Sequence, residues 1–204
     1  MFKYLFSITN IIGLIAFAIS GTIKGINKKL DLFGITIAGL STSLAGGIIR
    51  DTMVNQIPFL FKSINDISFS LCGVFIGIVL YKMEKVNFIK SSFLLLPDAI
   101  GLSAFTTTGA IVGFTNNISP IGIILLSTIT GVGGSIVRDV FLKEIPVVLK
   151  EEFYATCCII GSIFFIVTVK LTHNINLSSL ICFSITLIFR IFAIKFKWQL
   201  PKFQ

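Results

Sequence analysis

Two Arg-Asp pairs, Arg50-Asp51 and Arg138-Asp139, are the residues of this chain best placed to do chemistry, because each stands at the end of a long apolar run. Ionisable groups at membrane depth are costly and normally face a partner or water. Each pair follows a cluster of small and hydroxylated residues. Thr42, Ser43, Gly46 and Gly47 precede the first, and Thr130, Gly131, Gly133, Gly134 and Ser135 precede the second. Clustered glycines lower helix propensity, and hydroxyls can satisfy backbone groups freed at a kink. A bent or broken helix at each place, lining a permeation path, is the expectation. Two plainer readings stand beside it. The glycines can serve only close helix packing, and each Arg-Asp pair can be an interfacial ion pair that ends its helix. A phosphate-binding loop is excluded, since its lysine and flanking strand are missing.

Asp98 is the next candidate. It follows Pro97 near the start of an apolar run, where it can cap a helix or attract cations to a pore mouth. Thr106 and Thr107, with Thr108 beside them and Ser20 and Thr22 in the matching part of the first run, offer neutral oxygens. Such oxygens suit a partly hydrated monovalent cation, whereas calcium favours several carboxylates. Only a transiently bound monovalent cation is expected, with no resident metal and no cofactor. A few of the 21 phenylalanines are placed near the glycine clusters and could form an apolar constriction.

The elements that must hold these residues are seven membrane-length apolar runs, about 5–24, 31–50, 67–82, 93–113, 119–138, 154–171 and 177–195. Residues 13–82 recur without a gap 88 positions later as 101–170, sharing 21 of 70 positions. Each copy holds three runs, an odd number, so the second copy must be inverted in the bilayer. The fold class expected is an all-α membrane protein of seven helices, two inverted three-helix repeats and a seventh helix. One transmembrane domain spans 1–204, with repeat 1 at 5–83, repeat 2 at 93–171 and the seventh helix at 177–196. That last helix would close the bundle or meet another subunit. Thirteen Lys and Arg gather on one side, among them Lys85, Lys90 and Lys202, against four on the other. By the positive-inside rule the N-terminus faces out and the C-terminus faces the cytoplasm of an inner (plasma) membrane.

Of the 204 residues 54% are hydrophobic and 13% charged, with mean hydropathy +0.97. Soluble domains carry about 25% charge. The net charge of +8 belongs to lysines at the ends of apolar runs, so topology and lipid headgroups explain it rather than nucleic acid. Cys72, Cys157, Cys158 and Cys182 lie within apolar runs without zinc spacing and read as small buried hydrophobes. The Ala16-Phe17-Ala18 stretch imitates a signal cleavage site, but it matches an internal segment and is expected to be retained. No acid pair, nucleophile with base, or metal cluster recurs at helical spacing, so no enzyme is expected.

At these residues the chain resembles the prokaryotic TRIC family, the trimeric intracellular cation channels, a group that includes proteins called glycine-transporter-like. The resemblance covers the whole chain and rests on a doubled signature. It stands here as Gly46-Gly47-Ile48-Ile49-Arg50-Asp51 and, with Ser second, Gly134-Ser135-Ile136-Val137-Arg138-Asp139, and the stretch Asp98 to Leu102 is also similar. It implies a homotrimer in membrane lipid with a pore in each subunit, lined by the first, second, fourth and fifth spans. It implies passive conduction of K+ and, less selectively, Na+. The Lys-Glu-Val motif of animal members is replaced by Ile48-Ile49-Arg50, so their lipid regulation and calcium-release role are not implied. The alternative from another class is a secondary transporter of a small zwitterion such as glycine. Its helix breaks would offer amide ends to a carboxylate.

Overall fold

The computed structural model describes residues 2–83, 92–150 and 153–198, with side chains from Tyr4 onward except those of 92–94. Lys85, Lys90 and Lys202, counted in the charge asymmetry, lie outside the described residues. Seven long helices fall where the apolar runs predict them: α1 (Phe2–Asn27), α2 (Leu32–Met53), α4 (Asn65–Met83), α5 (Ser92–Thr115), α6 (Pro120–Phe141), α8 (Tyr154–Thr172) and α9 (Ile175–Phe196). Two single-turn helices, α3 (Phe59–Lys62) and α7 (Val147–Lys150), were not foreseen and occupy matching places in the two copies. All seven long helices are long and apolar enough to cross a membrane.

The copies agree in the chemistry of their turns. Asp31 accepts a hydrogen bond from the Gly34 amide at the start of α2, and Ser119 does the same for Gly122 at the start of α6. The chain turns after α1 and α5 through left-handed Lys29 and Asn117, and after α2 and α6 through left-handed Asn55 and Lys143. Each of these pairs differs by the repeat offset of 88.

Helices α1, α2, α6 and α5 form a ring in which each packs on the next, and α1 and α5 are its most buried members. Asn10, early in α1, lines the cavity that also holds Arg50. Thr108, late in α5, accepts a hydrogen bond from Arg50. Ser20, late in α1, joins Asp98, early in α5. The two helices therefore run antiparallel, and the halves are inverted.

Symmetry fails on the outside of the ring. Helix α4 packs on α1, with Gly73 against Ala18 and Ile15. The matching Gly161 of α8 instead faces Thr186 and Cys182 of α9. Helix α9 takes the place on α5 that α4 has on α1.

Candidate ion pathway and its two charged ends

The glycines ahead of each Arg-Asp pair lie in uninterrupted helix, and none adopts a positive φ. They do not break α2 or α6. In the bilayer a helix keeps its hydrogen bonds because lipid offers no replacement. What the missing side chains permit is a close crossing of the two helices. A methyl group added at Gly46 would overlap the Thr130 carbonyl oxygen, and one at Gly134 would overlap that of Thr42. These contacts are reciprocal across the repeat, so the crossing lies on the pseudo-twofold axis. Gly133 also lies near Gly46, and Gly131 makes room for the Thr106 hydroxyl and Cys158. Gly47 differs, since a methyl group there would meet only the Arg50 guanidinium, at 3.8 Å.

Beside this crossing the ring is filled by Phe17 and Phe105, which are equivalent positions of the two copies. Their ring centroids are 5.3 Å apart, and both are fully buried. Gly13 makes room for Phe105 and Gly101 for Phe17. Leu14, Leu102, Val132, Tyr154 and Cys158 belong to the same cluster, with Leu44 packed against it. This apolar plug separates two polar ends.

At one end, Arg50 donates from Nε to Asp51 Oδ1 at 2.8 Å and from a terminal nitrogen to the Thr108 hydroxyl at 3.1 Å. It also lies over the Phe6 ring, 5.4 Å from the centroid. The other oxygen of Asp51 accepts the Phe59 amide at 2.9 Å, which ties the start of α3 to the site. Nearby, Asn10 donates to Asp66 at 3.2 Å. Arg50, Asp51, Asn10, Asp66, Ser43 and Gly47 line a cavity of about 10 Å³, the room that one water molecule needs, floored by Leu14 and Phe105.

At the other end, Arg138 repeats this pattern. Its Nε donates to Asp139 Oδ1 at 2.8 Å and a terminal nitrogen donates to the Ser20 hydroxyl at 3.1 Å. Asp139 Oδ2 accepts the Val147 amide at 2.8 Å. Here the network goes further. Arg138 also pairs with Asp98 at 3.1 Å, and Lys24 reaches Asp139 at 2.6 Å and Glu144 at 2.8 Å. Lys28 pairs with Glu144 as well. Glu144 lies outside the membrane spans, and hydrogen bonds from Lys24 and Lys28 hold its carboxyl down to about 2.

The structure resolves several alternatives about individual residues. Asp98 does not cap α5, because the helix begins at Ser92 and runs through Pro97; its carboxylate serves Arg138 instead. Asp139 pairs with Lys24 of α1, while Lys143 stands in the turn that follows α6. Of the threonine triplet, Thr108 reaches an arginine. Thr106 and Thr107 donate to the carbonyls of Leu102 and Ser103 and face Cys158 and Cys182. Thr42, Ser43 and Thr130 likewise donate to carbonyls of their own helices, and Ser135 to Val132. Asn10, Lys24, Asp66 and Glu144 escaped the sequence reading as site residues. A lysine or acid near the end of an apolar run reads as topology until its partner in another helix is seen. Among the described residues no cluster of His, Cys, Asp or Glu could hold a metal ion.

Comparison with known proteins follows this geometry closely. The family model described as Glycine transporter matches twice, over residues 7–82 and 95–170. The UPF0126 inner membrane protein YadS of Escherichia coli is 34% identical over 197 residues, which cover 95% of this chain and 94% of YadS. A crystal structure of a prokaryotic TRIC channel in 0.5 M KCl is similar with a TM-score of 0.88 and 37% identity, over 98% of this chain and all of the other. The TRIC trimeric intracellular cation channel orthologue from Rhodobacter sphaeroides matches with a TM-score of 0.84 and 25% identity, over 95% of this chain and 98% of the other.

Proposed function

We propose a function from one premise: this chain belongs to the TRIC channel family, the group matched by the glycine-transporter family model and by the UPF0126 membrane proteins. It is a cation channel, and the ion conducted is monovalent, K+ first and Na+ after it. The observation that carries this reading is the axial arrangement of the four-helix ring. Two hydrophilic ends, each organised by a buried arginine, are separated by a short apolar plug centred on Phe17 and Phe105. Apolar constrictions of this kind gate by dewetting. The structure described here is then the closed state, with room for about one water at the Arg50 end before the plug.

In the conducting state the aromatic pair separates. Cations then pass between the arginine ends, whose positive charge is offset by Asp51 at one end and by Asp98 and Asp139 at the other. Serine and threonine oxygens, Ser43 and Thr108 on the Arg50 side and Ser20 on the Arg138 side, stand where a partly hydrated ion needs neutral ligands. The subunits associate as a homotrimer with one pathway in each, as the trimeric naming of the Rhodobacter relative supports. The protein lies in the plasma (inner) membrane with its C-terminus towards the cytoplasm.

The carrier alternative needs a seat for a zwitterion between the halves. The enclosed space at the Arg50 end is far smaller than glycine, and both arginines already spend donors on their own carboxylates. Purified protein in proteoliposomes distinguishes the two. A channel dissipates a K+ gradient with current and shows no saturable glycine counterflow. Saturable glycine exchange without K+ current would overturn the channel reading.

A further inference from the structure

The two ends of the ring are built from the same repeat positions, yet they differ in charge. At the Arg138 end, Arg138, Lys24 and Lys28 are matched by Asp98, Asp139 and Glu144, all within one ion-pair network. At the Arg50 end, Arg50 faces two carboxylates, Asp51 and Asp66, across one small cavity. Arg50 is engaged with Asp51 through two nitrogens. Among the described residues Asp66 forms no ion pair, and its hydrogen-bond donor is the neutral Asn10 amide. Lys62, the nearby lysine of α3, is exposed.

The repeat shows how this difference arises. Position 98 in the second copy is Asp, and its counterpart Asn10 is neutral. Position 154 in the second copy is Tyr, fully buried in the apolar cluster, and its counterpart is Asp66. Where one end places a phenol ring against the plug, the other places a carboxylate on the wall of a cavity. Asp66 is only 9% exposed, so it is set into the wall rather than spread over the surface. It lies in the first turn of α4, where the helix dipole favours a negative charge.

We propose that Asp66 is the cation-collecting residue of the Arg50 mouth and makes conduction asymmetric, with monovalent cations entering faster from that end than from the Arg138 end. The inference rests on the channel reading. A cleft of one charge sign with low-dielectric walls concentrates counter-ions and raises their entry rate. The ion-paired end gains no such excess. The effect belongs to low ionic strength, because the Debye length falls from about 30 Å at 0.01 M to about 3 Å at 1 M.

The test is single-channel recording in K+ for the wild type and for the Asp66→Asn and Asp66→Glu variants. Channels are fused from vesicles whose orientation is read from the reach of a membrane-impermeant maleimide to a Lys62→Cys thiol. At about 0.01–0.05 M KCl the wild type passes about twofold or more current when K+ enters from the Arg50 end. Asp66→Asn preserves an acceptor for Asn10 and brings the ratio near one. Asp66→Glu restores the asymmetry, and about 1 M KCl abolishes it. A ratio unchanged in Asp66→Asn, independent of salt, or of opposite sign overturns the inference while leaving the channel standing. Absence of unitary current in the wild type removes the channel reading and this inference with it.

Discussion

The Arg138 end is a closed ion-pair network and the Arg50 end is a loosely filled cavity, although both descend from one arrangement. Each arginine holds the aspartate that follows it, and each reaches a hydroxyl on the opposite half, Thr108 or Ser20. Each aspartate also takes a backbone amide eight residues on. What differs is the surround. Asp98, Lys24 and Glu144 stand at one end where Asn10, Val112 and Gln56 stand at the equivalent places of the other. An inverted repeat thus supplies a symmetric framework, and a few substitutions divide the labour between a braced end and an open one.

Removing the arginines should break this contrast most visibly. Arg138→Met leaves Asp98 with only the Ser20 hydroxyl in a buried setting and should destabilise the protein by about 3–5 kcal/mol. Arg50→Met should cost less, because Asp51 keeps the Phe59 amide and Asp66 keeps the Asn10 amide and makes no direct pair with the guanidinium. Unfolding in detergent compares the two. Adding Asp98→Asn to Arg138→Met should recover part of the loss, since the stranded charge is gone, and equal losses in both single variants would contradict the contrast.

The glycine crossing gives the next largest effect. Gly134→Ala and Gly46→Ala press a methyl group onto a backbone carbonyl and should cost about 1–3 kcal/mol each, as overpacking does. Gly47→Ala meets only the end of a long side chain and should stay within about 0.5 kcal/mol. Thermal unfolding of the three variants checks the order, and a Gly47 effect as large as that of Gly46 would sink it.

The smallest effect is the pH dependence of the braced end. Glu144 has its folded-state carboxyl depressed from 4.5 to about 2 by Lys24 and Lys28. Its contribution is therefore fully present above pH 4.5 and is lost as the pH falls towards 2. Glu144→Gln should lower stability at pH 7 by roughly 1 kcal/mol or less, the range for partly exposed pairs. The gap between variant and wild type should narrow below pH 4.5. A gap that widens on acidification would show that the lysines do not hold this carboxylate.

Much of the architecture was legible in the sequence, because apolar run length and an odd number of runs per repeat are direct consequences of bilayer thickness. Seven helices and the inversion of the halves follow from those two quantities. The doubled Arg-Asp pairs also drew notice to both ends of the ring. The glycine clusters show where such reading stops. Propensity alone predicts a bend or a break; α2 and α6 run without interruption, and the partner that needs the space is a second helix from the other half. The link from Lys24 to Asp139 and Glu144 joins two copies, and its equivalents, Val112 with Asp51 and Gln56, carry no paired charge that a repeat comparison could detect. Asp98 was seen with two roles open, a cap or a cation attractor; α5 begins six residues earlier, at Ser92, and the pairing with Arg138 in another helix left no mark in the sequence.

The central claim is that two inverted halves meet at one shared hydrophobic gate. Single-channel recording of Phe17→Ala and Phe105→Ala beside the wild type in K+ addresses it most directly. Because the two rings form one plug, either truncation should raise open probability, to a similar extent from either half, without abolishing the unitary K+ current. If neither truncation alters gating or conductance, the ions do not cross between these rings and the axial pathway is wrong.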